Sequence, residues 1–347
     1  MIRQLSSALL FVTVLTSLPI AAHHSRAAFF DMSQVVEIEG VITRVQWRHP
    51  HVRYWIQADP AYGGQEWETE TTPPSLLERY GISPDILTEG TRVRVAGPPS
   101  KVADYVMEAS HVLLPDGREV LLHVSTPRWT DNTVERILQE FDEDAIRAAE
   151  ESADGIFRVW SRAQDNTRPS FWSADSYPLT DSARAAQAAW IPVENINTGC
   201  APKGMPRLMG SNWPFEFEDE DDVVVLRAEE FDVVRRIHLD QQMPAIVELT
   251  AWGHSVGRWV DGDLIVETRG VNSNFFGAAG ITLSDDVEMI EVFSMTDEEQ
   301  RLDYEITVID PATFSEPVTL SSFWIWRPGE KVNPYNCIDT PGSWSYR

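Results

Sequence analysis

Apolar and polar residues alternate with a period of two along much of this chain, the signature of half-buried strands. Residues 35–47 (VVEIEGVITRVQW) are rich in β-branched side chains and partly alternating, and Gly40 marks a bulge or bend. Runs of the same kind follow at 51–58, 65–71, 90–96, 105–114 and 119–123, with a short helical stretch at 74–80 and a turn at 115–118. Three strands, a helix and further strands is the order of a small OB-like barrel. Such barrels take oligosaccharides or nucleic acids, but fold analogy alone names no ligand.

The period then changes. After a break at 127–131, Val134, Ile137, Leu138, Phe141, Ala145, Ile146 and Ala149 recur at helical spacing and predict an amphipathic helix over 133–152. Asn132 with Glu135 three residues on reads as its capping box. This helix is expected to connect two units, or to pack as a lid on the second. A strand at 155–161, a polar loop and an Ala-rich helix at 180–189 come next. From there strands dominate, at 222–228, 233–239, 255–260, 264–268, 287–293, 302–309 and 318–326. Asp261-Gly262-Asp263 reads as a tight hairpin turn. Many consecutive strands with few helices predict an antiparallel meander closed, or nearly closed, into a lipocalin-like barrel. The expected fold is therefore mainly β: an OB-like unit at 23–125, a linker and helix at 126–154, and a larger antiparallel barrel at 155–347.

The first 22 residues stand apart. Arg3, an apolar run from Leu9 to Leu18 too short to span a bilayer, and Ala21-Ala22 read as a secretory leader with its cleavage site. The mature chain would begin His23-His24-Ser25, in the periplasm or secreted, with no later candidate for membrane insertion. In such a compartment the two cysteines, Cys200 and Cys337, are most simply a disulfide, with two buried thiols as the other reading. Closing a loop of that length contributes on the order of 4 kcal/mol in the chain-entropy model. No CxxC pair exists to build a cysteine zinc site.

Charge narrows the partners. With 28 Lys+Arg against 54 Asp+Glu, the net charge of −26 argues against nucleic acid and against docking on anionic membranes. A solvated acidic surface explains it more readily than attraction of a cationic ligand. The 13 Trp suit cores, strand pairs and ligand pockets alike.

Two stretches resemble known families. Residues 24–123, through His23-His24-Ser25, Phe30-Asp31, Glu39-Gly40-Val41 and Trp47-Arg48-His49-Pro50-His51, resemble an uncharacterised domain of periplasmic bacterial proteins. Residues from about 155 to 337 resemble an uncharacterised secreted bacterial family. The carriers are the segments beginning at Cys200, Pro214, Arg236, Gly253 and Asp261, then Asp310-Pro311 and Tyr335-Asn336-Cys337. Many relatives have Trp-Glu-Gly-Asp where this chain has Trp259-Val260-Asp261-Gly262-Asp263. The resemblance implies export and a two-domain layout, and it implies no reaction.

Candidate chemistry falls in two places. His23, with a free α-amine after cleavage at Ala22, could join an imidazole from His49 or His51 in a copper histidine brace. Cleavage after Ala21 would instead make His24 the third residue of a square-planar site. Copper suits either arrangement and nickel the square-planar one, and no cofactor is required. The other place is the barrel. Arg236 and His238 share one strand face, and Glu291 sits on an otherwise apolar face. With Glu267 and His254 they could converge inside the barrel as acid, base and charge partner, or they form structural ion pairs along the sheet edges. Trp252, Trp259, Phe275, Phe276 and Trp324 are the candidate ligand-binding rings. That set suits a small, largely apolar molecule, with hydration, dehydration or isomerisation as the chemistry. Rival readings are a copper-binding protein using the mature N-terminus and a structural envelope protein without a ligand. His254-Ser255 lacks a nucleophile elbow, and Asp219–Asp222 lacks the twelve-residue calcium loop.

Overall fold

A computed structural model describes residues 29–134, 141–162, 171–172, 177–191, 200–272, 275–277, 279–296 and 298–338. The chain is mainly β, with a seven-stranded sheet followed by a closed nine-stranded barrel. Residues 1–22, read above as a leader, and the histidines at 23 and 24 lie outside the described residues.

The first sheet is built around β1 (Val36–Gln46), which pairs antiparallel with β2 (Arg53–Ala58) on one side and β4 (Arg92–Gly97) on the other. β3 (Glu66–Glu70), β5 (Val106–Glu108), β6 (His111–Leu113) and β7 (Glu119–Leu121) complete the order β5-β3-β2-β1-β4-β6-β7. Residue Gly40 pairs with Ala58, and a Cβ there would collide with the Gln57 backbone, so glycine lets the strands approach. The bulge expected at Gly40 falls slightly later, between Ile42 and Arg44. β5 runs parallel to β3, and its other edge reaches back to the chain leaving β4, where Glu108 N–H donates to Pro98 O at 3.0 Å. Ile38, Ile42, Tyr54, Ile56, Val93, Val95 and Met107 form the core of this unit, joined by Leu77 from helix α1 (Pro74–Arg79). The break at 127–131 has a structural duty of its own. The buried Glu119 carboxylate accepts from the backbone N–H groups of Arg128, Trp129 and Thr130 at 2.8–3.1 Å. Those bonds satisfy the buried carboxylate and hold the turn against the sheet.

The connecting helix is shorter than its periodicity predicts. α2 spans Glu143–Ser152, capped by Asp142, whose side chain accepts from Asp144 and Ala145 N–H. Upstream, Thr133 bridges Glu119 and so belongs to the sheet, while 135–140 lie outside the described residues. Sheet pairing overrides helical spacing at that end. Phe141 and Ile146 lie where a Cβ on Gly329 would sit, so the helix leans on the end of the chain rather than on its own core.

The barrel runs β10 (Val223–Ala228), β11 (Val233–Leu239), β12 (His254–Val260), β13 (Asp263–Arg269), β14 (Glu288–Thr296), β15 (Arg301–Ile309), β16 (Val318–Trp326), β8 (Val159–Ser161) and β9 (Phe215–Glu220), then back to β10. Every neighbouring pair is antiparallel except β11 and β12. β9 is a strand that alternation alone did not mark, because Pro214 precedes it and acidic residues end it. Asp261 and Gly262 have φ of +53° and +96° and close the β12–β13 hairpin in two residues. Cys200 and Cys337 form a disulfide. Among the described residues no helix is long and apolar enough to cross a membrane.

Candidate functional site

Strand parity decides what enters the barrel. On β11 the apolar residues Val233 and Ile237 point inward, so Arg235 between them must do the same. β13 turns Leu264, Val266 and Thr268 inward, and β14 turns Met289, Glu291 and Phe293. Arg235 and Glu291 therefore meet in the interior, and both are essentially inaccessible to water.

Their network is closed on itself. Arg235 Nη1 donates to Glu291 Oε1 at 2.9 Å, and Nη2 pairs with Glu291 Oε2. The same guanidinium donates to Ser255 Oγ through Nε at 3.2 Å and Nη2 at 3.0 Å, and to Thr268 Oγ1 at 2.8 Å. Tyr304 Oη donates to Glu291 Oε1 at 2.9 Å. Burial by itself would lower the Arg235 pKa, and the facing Glu291 carboxylate more than reverses this. Burial, then the Glu291 charge, raise the Tyr304 hydroxyl well above its ordinary value. A guanidinium held by a two-point carboxylate and two hydroxyls has little capacity left to act on a substrate.

The remaining acid–base candidates do not join it. Arg236 and His238 occupy the opposite face of β11, and Arg236 pairs with Glu220 at 2.7 Å on the surface. Glu267 faces outward and pairs with Arg258 at 3.0 Å. His254 stacks on His238 outside the barrel, with ring centroids 5.0 Å apart. Burial, then the neighbouring His254 and Arg236, lower the His238 pKa. The convergence of Arg236, His238, His254 and Glu267 is thus corrected by parity, and Arg236 and Glu267 take the structural ion pairs that were the other reading. Of the five, Glu291 alone is inside, and its partner is Arg235. Arg235 was open to the criterion that marked Glu291, a charged residue on an apolar strand face.

The aromatic candidates separate too. Trp259 is 40% exposed and meets Phe157 edge-on, and Trp252 packs on the outer fringe of the core. Trp324 is buried between Phe215 and Tyr304. Phe275 and Phe276 belong to a cluster at the end of the barrel where β13 and β15 finish. Phe276 there meets Trp172, Tyr177 and Phe314 with centroids 5.0–5.3 Å apart. Phe171 meets Trp172 on one side and stacks on Tyr304 on the other, which links this cluster to the polar network. Leu179 bridges Phe314 and leads into α3 (Asp181–Ala189), whose following residue Trp190 faces Phe275 at 6.0 Å and lies against Gly280.

Among the described residues of this cluster, Tyr177 Oη and Trp190 Nε1 are buried without a hydrogen-bond partner. Burial pushes the Tyr177 hydroxyl up to about 12, so it is a neutral donor at physiological pH. Neither residue stood out in the sequence, since an orphaned donor is visible only once its surroundings are known. The groove of 620 Å³ along Ser294, Asp303, Glu305, Ser321 and Phe323 lies on the outer face of β14–β16, away from this cluster.

As for metal, His23 and His24 lie outside the described residues. His51 Nδ1 sits 3.0 Å from the Thr71 carbonyl O and 3.7 Å from Glu70. Among the described residues no three His, Cys, Asp or Glu side chains gather as a metal site.

Comparison with known proteins adds one match. A model described as Family of unknown function (DUF6152) matches residues 12–106, less than half of the chain. No curated protein and no solved structure matches the chain.

Proposed function

We propose that this is an exported binding protein whose barrel takes a small, largely apolar molecule at its aromatic end. The observation that carries the reading is the pair of buried, unpartnered donors, Tyr177 Oη and Trp190 Nε1, among Phe275, Phe276 and Phe314. A buried donor left unpaired costs about 1–3 kcal/mol. A carbonyl or ether oxygen entering with an apolar body would satisfy such a donor and cover the rings. The role is binding rather than proton transfer, because the interior carboxylate is held by Arg235 and the paired imidazoles lie outside the barrel. Export is supported by the leader pattern at 1–22 and by a disulfide of the kind that persists in oxidising compartments.

The test compares an aryl alkyl ketone with the hydrocarbon of the same shape by titration calorimetry. The ketone is expected to bind at least about tenfold tighter, the equivalent of one recovered hydrogen bond. Tyr177→Phe should remove most of that preference without lowering stability, since the hydroxyl it deletes has no partner. Equal affinity for the two probes would sink the proposal.

A further inference from the structure

The groove of 620 Å³ on the outer face of β14–β16 is open to solvent, separate from the aromatic end, and has a chemistry of its own. Strand register sets its floor. Ser294, Asp303 and Phe323 lie opposite one another in one cross-strand row, and Val292, Glu305 and Ser321 in the next. All six point away from the core, because Phe293, Tyr304 and Ser322, which alternate with them, are buried. Side chains directly opposite on such a face are about 5 Å apart and diagonal ones about 7–8 Å. Glu305 and Phe323 are diagonal neighbours, so one small molecule can touch both. The volume also suits a small molecule, since pockets that hold one run to about 300–1,000 Å³.

Charge in the groove is unevenly matched. Asp303 has its counter-ion: Arg301 Nε donates to Oδ1 at 2.7 Å, and Thr296 Oγ1 donates to Oδ2 at 3.2 Å. The same guanidinium lies over the Phe323 ring, 4.2 Å from its centroid, so Arg301 is held from two sides. Glu305 is exposed, and its cross-strand neighbours Val292 and Ser321 carry no charge. Along β15 it stands between Asp303 and Thr307, and Thr307 is bonded to Thr319 at 3.0 Å. Among the described residues no hydrogen bond or ion pair reaches its carboxylate. The groove therefore sets one carboxylate without a counter-charge beside the apolar surface of Val292 and Phe323.

That combination selects a ligand chemistry. An anion would be repelled by Glu305 and would find Arg301 already engaged. A bare metal ion would leave the apolar surface unused, and among the described residues no three acidic, His or Cys side chains gather to hold one. A neutral polyol would leave the charge unmatched. An ammonium group on a short apolar body matches both parts. Its three donors meet the two oxygens of Glu305 and the Ser321 hydroxyl opposite. The net charge of −26 adds to this by concentrating cations near the surface. We propose that the groove is a binding site for a small amphipathic amine, with its ammonium on Glu305 and its apolar body along Val292 and Phe323.

The experiment titrates the full chain with phenethylamine, with phenethyl alcohol as its neutral counterpart, and with glucose, followed by amide chemical shifts in NMR and by calorimetry. At low ionic strength the amine should bind saturably and about fivefold tighter than the alcohol, shift the amides of β14–β16, and lose that margin in high salt. Glu305→Gln should bring the amine to the level of the alcohol. Glu248→Gln, which removes the same charge from an exposed position outside the groove, should leave the margin intact. Phe323→Ala should weaken amine and alcohol alike. Equal binding of amine and alcohol, or a margin that survives Glu305→Gln, would overturn the proposal. So would an equal loss in Glu248→Gln, the mark of diffuse attraction to an acidic surface. Glucose binding as tight as the amine, or shifts confined to the aromatic end of the barrel, would overturn it too. The ketone titration at that end reads out separately, so either site can fail without the other.

Discussion

Removing the Glu291 carboxylate tests the account of the barrel interior most directly. In Glu291→Ala, Arg235 keeps its bonds to Ser255 and Thr268 but loses both contacts to its counter-charge. Tyr304 Oη loses its acceptor as well. Arg235 has no way to shed its proton and no route to water, so the barrel would hold an unpaired charge. Breaking such a pair from one side costs about 3–5 kcal/mol. For a unit of this size each kcal/mol lowers the melting point by about 2–4 °C, so the midpoint should fall by roughly 6–20 °C. The assay is urea and thermal unfolding by far-ultraviolet circular dichroism with the disulfide intact. A triple change, Arg235→Met, Glu291→Leu and Tyr304→Phe, removes all three polar groups together and should regain at least half of the loss. A loss under about 1 kcal/mol for Glu291→Ala is what a solvated surface pair gives. That result, or a triple variant no more stable than the single one, would refute the reasoning.

Three further outcomes follow from other parts of the fold. Gly97→Ala drives a Cβ into the Glu108 carbonyl where β4 meets β5, so the first sheet should lose its cooperative melt while the barrel keeps its own, as differential scanning calorimetry would resolve. Cys200→Ser should destabilise the barrel by on the order of 4 kcal/mol, read from the urea midpoint and matched by dithiothreitol on the native chain. The His49 ring lies 3.8 Å from that of Tyr335, and burial depresses its pKa from 6.5 to about 4. This contact is at full stability above pH 6.5 and weakens as pH falls towards 4, because the folded state resists a proton that the unfolded state accepts. His49→Phe should flatten stability against pH in that window, and a wild-type profile already flat there would remove the assignment.

Much of this architecture was legible in the chain. Alternation of apolar residues marked most strands, because a half-buried strand must repeat every two residues whatever it packs against. Asp261-Gly262 announced its hairpin, since few residues accept positive φ at two successive positions. Two cysteines in an export-like sequence pointed to the bond between Cys200 and Cys337. Parity also divided Arg235 from Arg236 correctly. It did not say which face was inside, and the apolar weight of Val233 and Ile237 settled that against Arg236 and His238.

What periodicity does not carry is the meeting of elements far apart in the chain. Thr133 went to a sheet edge rather than a helix because Glu119 offered it a pairing fourteen residues back. Arg79 found Glu229 and Glu330, Tyr177 Oη found no acceptor, and Trp190 came to rest on Gly280, each through contacts between distant segments. Local sequence determined the strands, the tight turn and the faces they present. Only the closure of the barrel and the docking of the first sheet on it decided which charges are buried together and which donors are left over. The desolvation that gives those atoms their chemistry exists only in the folded whole.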